Sequence, residues 1–163
     1  MPQVVPIFRA SASAKSLLET CDVELGRAAV ALDPADRYIA AHLAAVHAAC
    51  AFIDLIAGKP DRNRRSVWER LVAIDRNWQP WAAYFAGGTK LRRALEIGVP
   101  VASKVADEMT AHAEDFRDEI AMAIDPACEW PSHVSVPKPG YGTGIQTAPS
   151  PTTALSTGLR LAS

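Results

Sequence analysis

The chain has 163 residues, 49% of them hydrophobic, and a formal net charge of −1. That length suits one domain with its own core. The composition excludes global disorder, and the charge excludes a polycation built along its whole length for nucleic acid.

Cys21, Cys50 and Cys128 are an odd number with no CxxC spacing. They argue against a disulfide framework or a zinc knuckle and for a reducing compartment. The opening MPQVVPIFRASASAK has no early basic region followed by a long apolar run. No stretch reads as long and apolar enough to span a bilayer. The expectation is a cytoplasmic protein.

Residues 1–12 read as a flexible arm, broken by Pro2 and Pro6. A helical pattern follows, with Ser16-Leu-Leu-Glu19 as a capping box and earlier starts at Ser11 or Ser13 also open. Leu18, Cys21, Leu25, Ala28 and Leu32 form its apolar stripe. The second helix has a capping Asp33, Pro34 at the first helical position and Asp36 in the first turn. Ile39, Leu43, Val46, Cys50 and Ile53 form its stripe. Ala41, Ala44, Ala48 and Ala51 form a back face small enough for other helices to approach, which makes this helix central. Gly58 and Pro60 end it.

After the polar loop GKPDRNRR, Ser66-Val-Trp-Glu69 is a second capping-box match. Val67, Leu71 and Ile74 support a short helix. Asn77 or Gln79 with Pro80 opens another, carrying Trp78, Trp81 and Phe85 at core spacing. Gly87-Gly88 reads as a turn, and Thr89 to Glu96 as a further short helix closed by Gly98 and Pro100. Ser103 begins the last long helix, with Val105, Met109, Ala113, Phe116, Ile120 and Ile124 inward and Asp125-Pro126 as its stop. Residues 126–163 are rich in Pro, Gly, Ser and Thr and read as disordered or extended. The predicted fold is an all-α antiparallel bundle over residues 13–125, with three long helices and two or three short ones.

Charge is unevenly placed. Residues 59–93 hold nine Lys or Arg against three acids, while residues 102–129 hold two bases against eight acids. One reading is a patch for phosphates made of Lys59, Arg62, Arg64, Arg65, Lys90, Arg92 and Arg93. The other is that the two zones face each other or are simply solvated.

Candidate chemistry centres on Arg37 and His42. Arg-x4-His fits the signature of metal-independent ribonucleases, with His as general acid or base and Arg on the developing charge. On one helix, five residues turn the side chains by about 140°. That points the two apart, Arg37 toward a local ion pair with Asp33 and His42 toward packing. A zinc or nickel site of His42, His47 and His112, with Glu108 beside it, meets the same divergence between His42 and His47. AGGTK and GYGTG lack the strand and helix context of a phosphate loop. No cofactor is expected.

The run ADRYIAAHLAAVHAACAFIDLIAG, then RRSVWERL, then WAAYFAGGTKLRRALEIG and a long closing helix resembles a small actinobacterial branch of the HEPN (higher eukaryote and prokaryote nucleotide-binding) superfamily, over about residues 14–124. The resemblance implies a compact helical bundle, often dimeric. Active members of that superfamily cleave RNA with an Arg-x4–6-His motif in the later half of the bundle. The matching region here, about Gly87 to Pro100, offers Arg92 and Arg93 but no His. Members without the motif act as binding or regulatory modules. The expectation is therefore a non-catalytic, regulatory HEPN-like homodimer that binds RNA, a nucleotide or a protein partner, with the basic 59–93 segment as its contact surface. The alternative is a metal-independent ribonuclease using Arg37 and His42.

Overall fold

The computed structural model describes residues 12–57 and 65–124. Five α-helices form it: α1 (Ala12–Val30), α2 (Pro34–Ala57), α3 (Val67–Ile74), α4 (Gln79–Glu96) and α5 (Ser103–Ile124), with a 3-10 turn at Arg76–Trp78. The described residues contain no strand, and the all-α expectation holds. The tail 126–163, the stops at Gly58, Pro60 and Asp125-Pro126, and residues 1–11 of the arm lie outside the described residues; Ala12 already belongs to α1.

Ser16 and Glu19 lie inside α1 rather than at its start, because the helix begins one turn earlier. The Ser16 carbonyl accepts from Thr20 Oγ1 at 2.9 Å. Cys21 and Ala28 are buried as expected, but Leu32 at the end of that stripe is 95% exposed. It has left the helix, so the 3.6-residue period no longer aims it inward.

The start of α2 is as the sequence predicts. Asp33 Oδ1 accepts the Ala35 N–H at 2.8 Å, and the Asp33 carbonyl accepts from the Arg37 N–H. Its faces are assigned differently. Ala41, Ala44, Ala48 and Ala51 are completely buried, whereas Ile39, Leu43, Val46 and Cys50 are only half-buried. The helix is wrapped by α1, α3, α4 and α5, and the alanines take the closest approaches because they have the least side chain to displace. By length and hydropathy alone α2 could cross a membrane, contrary to the sequence expectation. More than half of its apolar window is buried against the other helices, which accounts for that apolarity within the fold.

Segment α3 keeps its predicted box: Ser66 Oγ accepts from the Glu69 N–H at 3.2 Å, and Glu69 Oε2 accepts from the Ser66 N–H at 2.7 Å. Asp75 then caps the 3-10 turn through the Asn77 N–H. From Gln79, α4 runs unbroken to Glu96, so Gly87-Gly88 is not a turn and Thr89–Glu96 is not a separate helix. The reason lies in packing. A Cβ on Gly88 would stand 2.8 Å from Tyr38 Oη, 3.1 Å from Met109 Cε and 3.2 Å from His42 Cδ2. Glycine is there so that α4 can close on α2 and α5. The true turn is at Gly98, whose φ of 91° is open to glycine.

Helix α5 starts at Ser103 as predicted, and Met109, Ala113, Phe116, Ile120 and Ile124 are buried. Val105 points out instead, 38% exposed, and Ala106 takes the inward position. Between α2, α3, α4 and α5 lies an aromatic core. Phe85 stacks on Trp68 (5.3 Å, 19°) and on Trp81 (5.9 Å, 16°) and meets Phe116 at 5.2 Å. These rings and Trp78 are buried, so the tryptophans of the described residues are core rather than platforms for bases.

Candidate functional site

The ion pair expected between Arg37 and Asp33 is replaced by one to Asp107 on α5. Arg37 Nη2 also donates to the Ala31 carbonyl at 3.0 Å. The guanidinium thus ties the end of α1 to the starts of α2 and α5, with its positive charge beside a helix C-terminus.

His42 faces the core and is 1% exposed. Its Nε2–H donates to the Phe85 carbonyl at 2.9 Å. That fixes the neutral tautomer, with Nδ1 buried and without a partner among the described residues. Tyr38 stacks on the ring, and Trp68 and Phe85 meet it edge-on. Burial pushes its pKa below the ordinary 6.5, the Phe85 bond partly opposing this and Arg92 adding to it. Within the chain, then, Arg37 and His42 serve different neighbourhoods.

The three histidines do not assemble into a metal site: no group of three or more His, Cys, Asp or Glu stands at ligand geometry among the described residues. His112 packs against Tyr84 at 4.5 Å and Trp81 at 6.1 Å instead. Cys21 is buried, and its thiol is pushed up to about 12 by that burial. A thiolate nucleophile at that position is therefore unavailable at neutral pH.

A cleft of about 580 Å³ opens between α3 and α4. The small side chains Ala73, Ala82, Ala83 and Ala86 leave the space, Trp68 and Val72 line it, and Arg65 and Arg76 flank it. The capping box places Arg65 at the entry to α3, and the Asp75 cap places Arg76 at its exit. Glu69 belongs to the same wall. Its hydrogen bonds from Ser66 hold its carboxyl below the usual range, so the cleft has one fixed negative charge among its cations. Along α4 the lining positions Gln79, Ala83 and Ala86 continue, at alternating spacings of four and three, to Lys90 and Arg93. Both are exposed and lie on that face of the helix.

Of the residues proposed from sequence as phosphate contacts, Arg65, Lys90 and Arg93 therefore share one side of the molecule. Arg92 points elsewhere, is 20% exposed, and is bound to Glu96 one turn on. Lys59, Arg62 and Arg64 lie outside the described residues. Arg76 belongs to the group and was not singled out. The Asp75-Arg76-Asn77 cap between two short helical patterns was the available signal, since it fixes where the next side chain points.

Neither the curated proteins nor the solved structures contain a match to this chain. A family model described as SAV_6107-like HEPN does match, over residues 28–121. That span runs from the last turn of α1 into the last turn of α5, more than half of the chain, and holds both the aromatic core and the α3–α4 cleft. The chain belongs to the HEPN family.

Proposed function

We propose that this HEPN domain is a non-catalytic, regulatory binding module that holds RNA or a nucleotide by its phosphates along the α3–α4 face. The observation that supports this reading is the placement of Arg65 and Arg76 in the lining of one open cleft, with exposed Lys90 and Arg93 farther along the same face of α4. Cations spread along one face suit a chain of phosphates, and such contacts give affinity with little sequence preference. The buried tryptophans offer no stacking platform, so electrostatics carries the binding. The module acts in the cytoplasm as a homodimer.

A metal-independent ribonuclease acting through Arg37 and His42 would need both groups on one phosphate. The Asp107 and Ala31 partners of Arg37 and the burial of His42 do not favour that. The test is binding of a short labelled single-stranded RNA to the wild-type chain and to a variant carrying Arg65→Glu, Arg76→Glu, Lys90→Glu and Arg93→Glu. Loss of binding with an unchanged circular dichroism spectrum is the expected result. Equal binding by the two proteins refutes the assignment of this face.

A further inference from the structure

The α3–α4 cleft holds one group that phosphate binding does not use. Glu69 is the one acid among its described lining residues, and it is exposed. A carboxylate repels phosphate, so its place between two arginines suits a different part of a ligand. The capping box does not exhaust it. Ser66 holds the carboxylate through its backbone and its side chain. A carboxylate has about four acceptor positions, so others are left for donors that a ligand brings.

The surroundings describe that part of the ligand. Arg65, Glu69, Val72 and Arg76 follow one another along one wall, with the carboxylate between the two cations. The facing wall on α4 is alanine, at positions 82, 83 and 86. The volume of about 580 Å³ falls within the roughly 300–1,000 Å³ of small-molecule sites, which combine apolar walls with a few placed polar groups. A flat heteroaromatic ring would bury its faces on such walls and turn a polar edge to Glu69. Among the RNA bases, guanine alone presents adjacent donors, N1–H and the N2 amino group, to the paired oxygens of a carboxylate. Adenine and cytosine set their amino group beside a ring nitrogen acceptor, and uracil flanks its N–H with carbonyls. Those lone pairs meet a carboxylate unfavourably. Gln79, in the same lining, carries an amide N–H for guanine O6 or N7.

We infer that the α3–α4 cleft seats one guanine base, with Glu69 accepting from N1–H and the N2 amino group while Arg65 and Arg76 hold the neighbouring phosphates. This rests on the phosphate-binding reading of the same face and adds the base selection that backbone contacts lack. The guanine belongs to a single-stranded RNA or to a free nucleotide, since the edge is the same in both.

The test compares three short labelled RNAs on the full chain by fluorescence anisotropy: all uridine, one central guanosine, and one central inosine. GMP and AMP are titrated alongside by calorimetry. One guanosine should tighten binding by on the order of tenfold to a hundredfold over the all-uridine RNA. Inosine, which lacks the N2 amino group, should gain less. Glu69→Gln keeps a residue that serves in a capping box, so its melting temperature should stay close to that of the wild type. It should erase the guanosine advantage, while the all-uridine RNA binds at least as tightly because a negative charge near its phosphates is gone. Binding of GMP in preference to AMP adds the free nucleotide as a source, and a guanosine advantage without GMP binding assigns the site to RNA. Equal affinity for the uridine and guanosine RNAs overturns the guanine site and leaves the phosphate face standing, as does a guanosine advantage that survives Glu69→Gln. Glu69-dependent binding of GMP with no binding of any RNA keeps the guanine site and overturns the RNA reading of the face. Binding of neither RNA nor GMP overturns both.

Discussion

Substituting Gly88 by alanine sets two effects against each other. In a helix interior, alanine is favoured over glycine by about 0.5–1 kcal/mol. At Gly88 the new methyl would stand 2.8 Å from Tyr38 Oη, closer than van der Waals contact allows. Tyr38 cannot simply swing away. It is 3% exposed, stacks on His42, and donates its hydroxyl to the Gly88 carbonyl at 3.3 Å. Overpacking of this kind costs about 1–3 kcal/mol, and a weakened hydrogen bond adds about 0.5–1.5 kcal/mol. The net expectation for Gly88→Ala is a loss of about 1–3 kcal/mol. Gly87 is the internal control: it shares the helix, but a Cβ there meets nothing within 4 Å. Gly87→Ala should therefore stabilise by about 0.5–1 kcal/mol. Urea unfolding of the three proteins, with equal m-values, measures both changes. If Gly88→Ala stabilises as much as Gly87→Ala, the close approach of α4 to Tyr38 is wrong.

Three further outcomes follow from the same contacts. His42 has a folded pKa below its unfolded 6.5, so the unfolded chain binds the extra proton. The contribution of His42 is present above about pH 6.5 and is lost as pH falls from there toward the folded pKa. The urea midpoint should drop over that range more steeply in the wild type than in His42→Leu, and equal slopes would contradict it. Arg117 Nε and Nη2 hold Asp22 Oδ1 and Oδ2 at 2.7 and 2.8 Å, clamping α1 to α5. Asp22 is half-exposed, so Asp22→Ala should cost only about 0.5–1 kcal/mol, a loss that shrinks in high salt; a cost independent of salt would exclude a charge effect. The purified chain should not cleave a fluorogenic RNA. Cleavage that disappears in both Arg37→Ala and His42→Ala would instead make the domain a nuclease.

What the sequence could convey was local. The caps at Asp33 and Ser66, the turn at Gly98 and the start at Ser103 each depend on a few adjacent residues, and each is where the pattern puts it. Gly87-Gly88 failed because a glycine pair signals a turn unless something distant needs the space. Here that need comes from Tyr38 and Met109 on two other helices. The faces of α2 differ from the sequence expectation for a related reason. Hydrophobicity marks large side chains as core, but a helix surrounded by others buries its smallest residues most completely. The arrangement of Arg37 was hidden as well, since Asp107 lies seventy residues away. Part of the basic face was legible as charge bias. Its separation into Arg65, Lys90 and Arg93 on one side and Arg92 on another required the phase of α4, which the assumed turn at Gly87-Gly88 had broken.

The salt dependence of RNA binding tests the central claim most directly. The affinity of a short single-stranded RNA should be measured by fluorescence anisotropy across a series of salt concentrations. Four phosphate contacts on single-stranded RNA predict a slope of log affinity against log salt of about −3. Reversing Lys90 alone should flatten that slope by about the value of one contact. A slope near zero, or one that Lys90→Glu leaves unchanged, would contradict a phosphate-binding α3–α4 face.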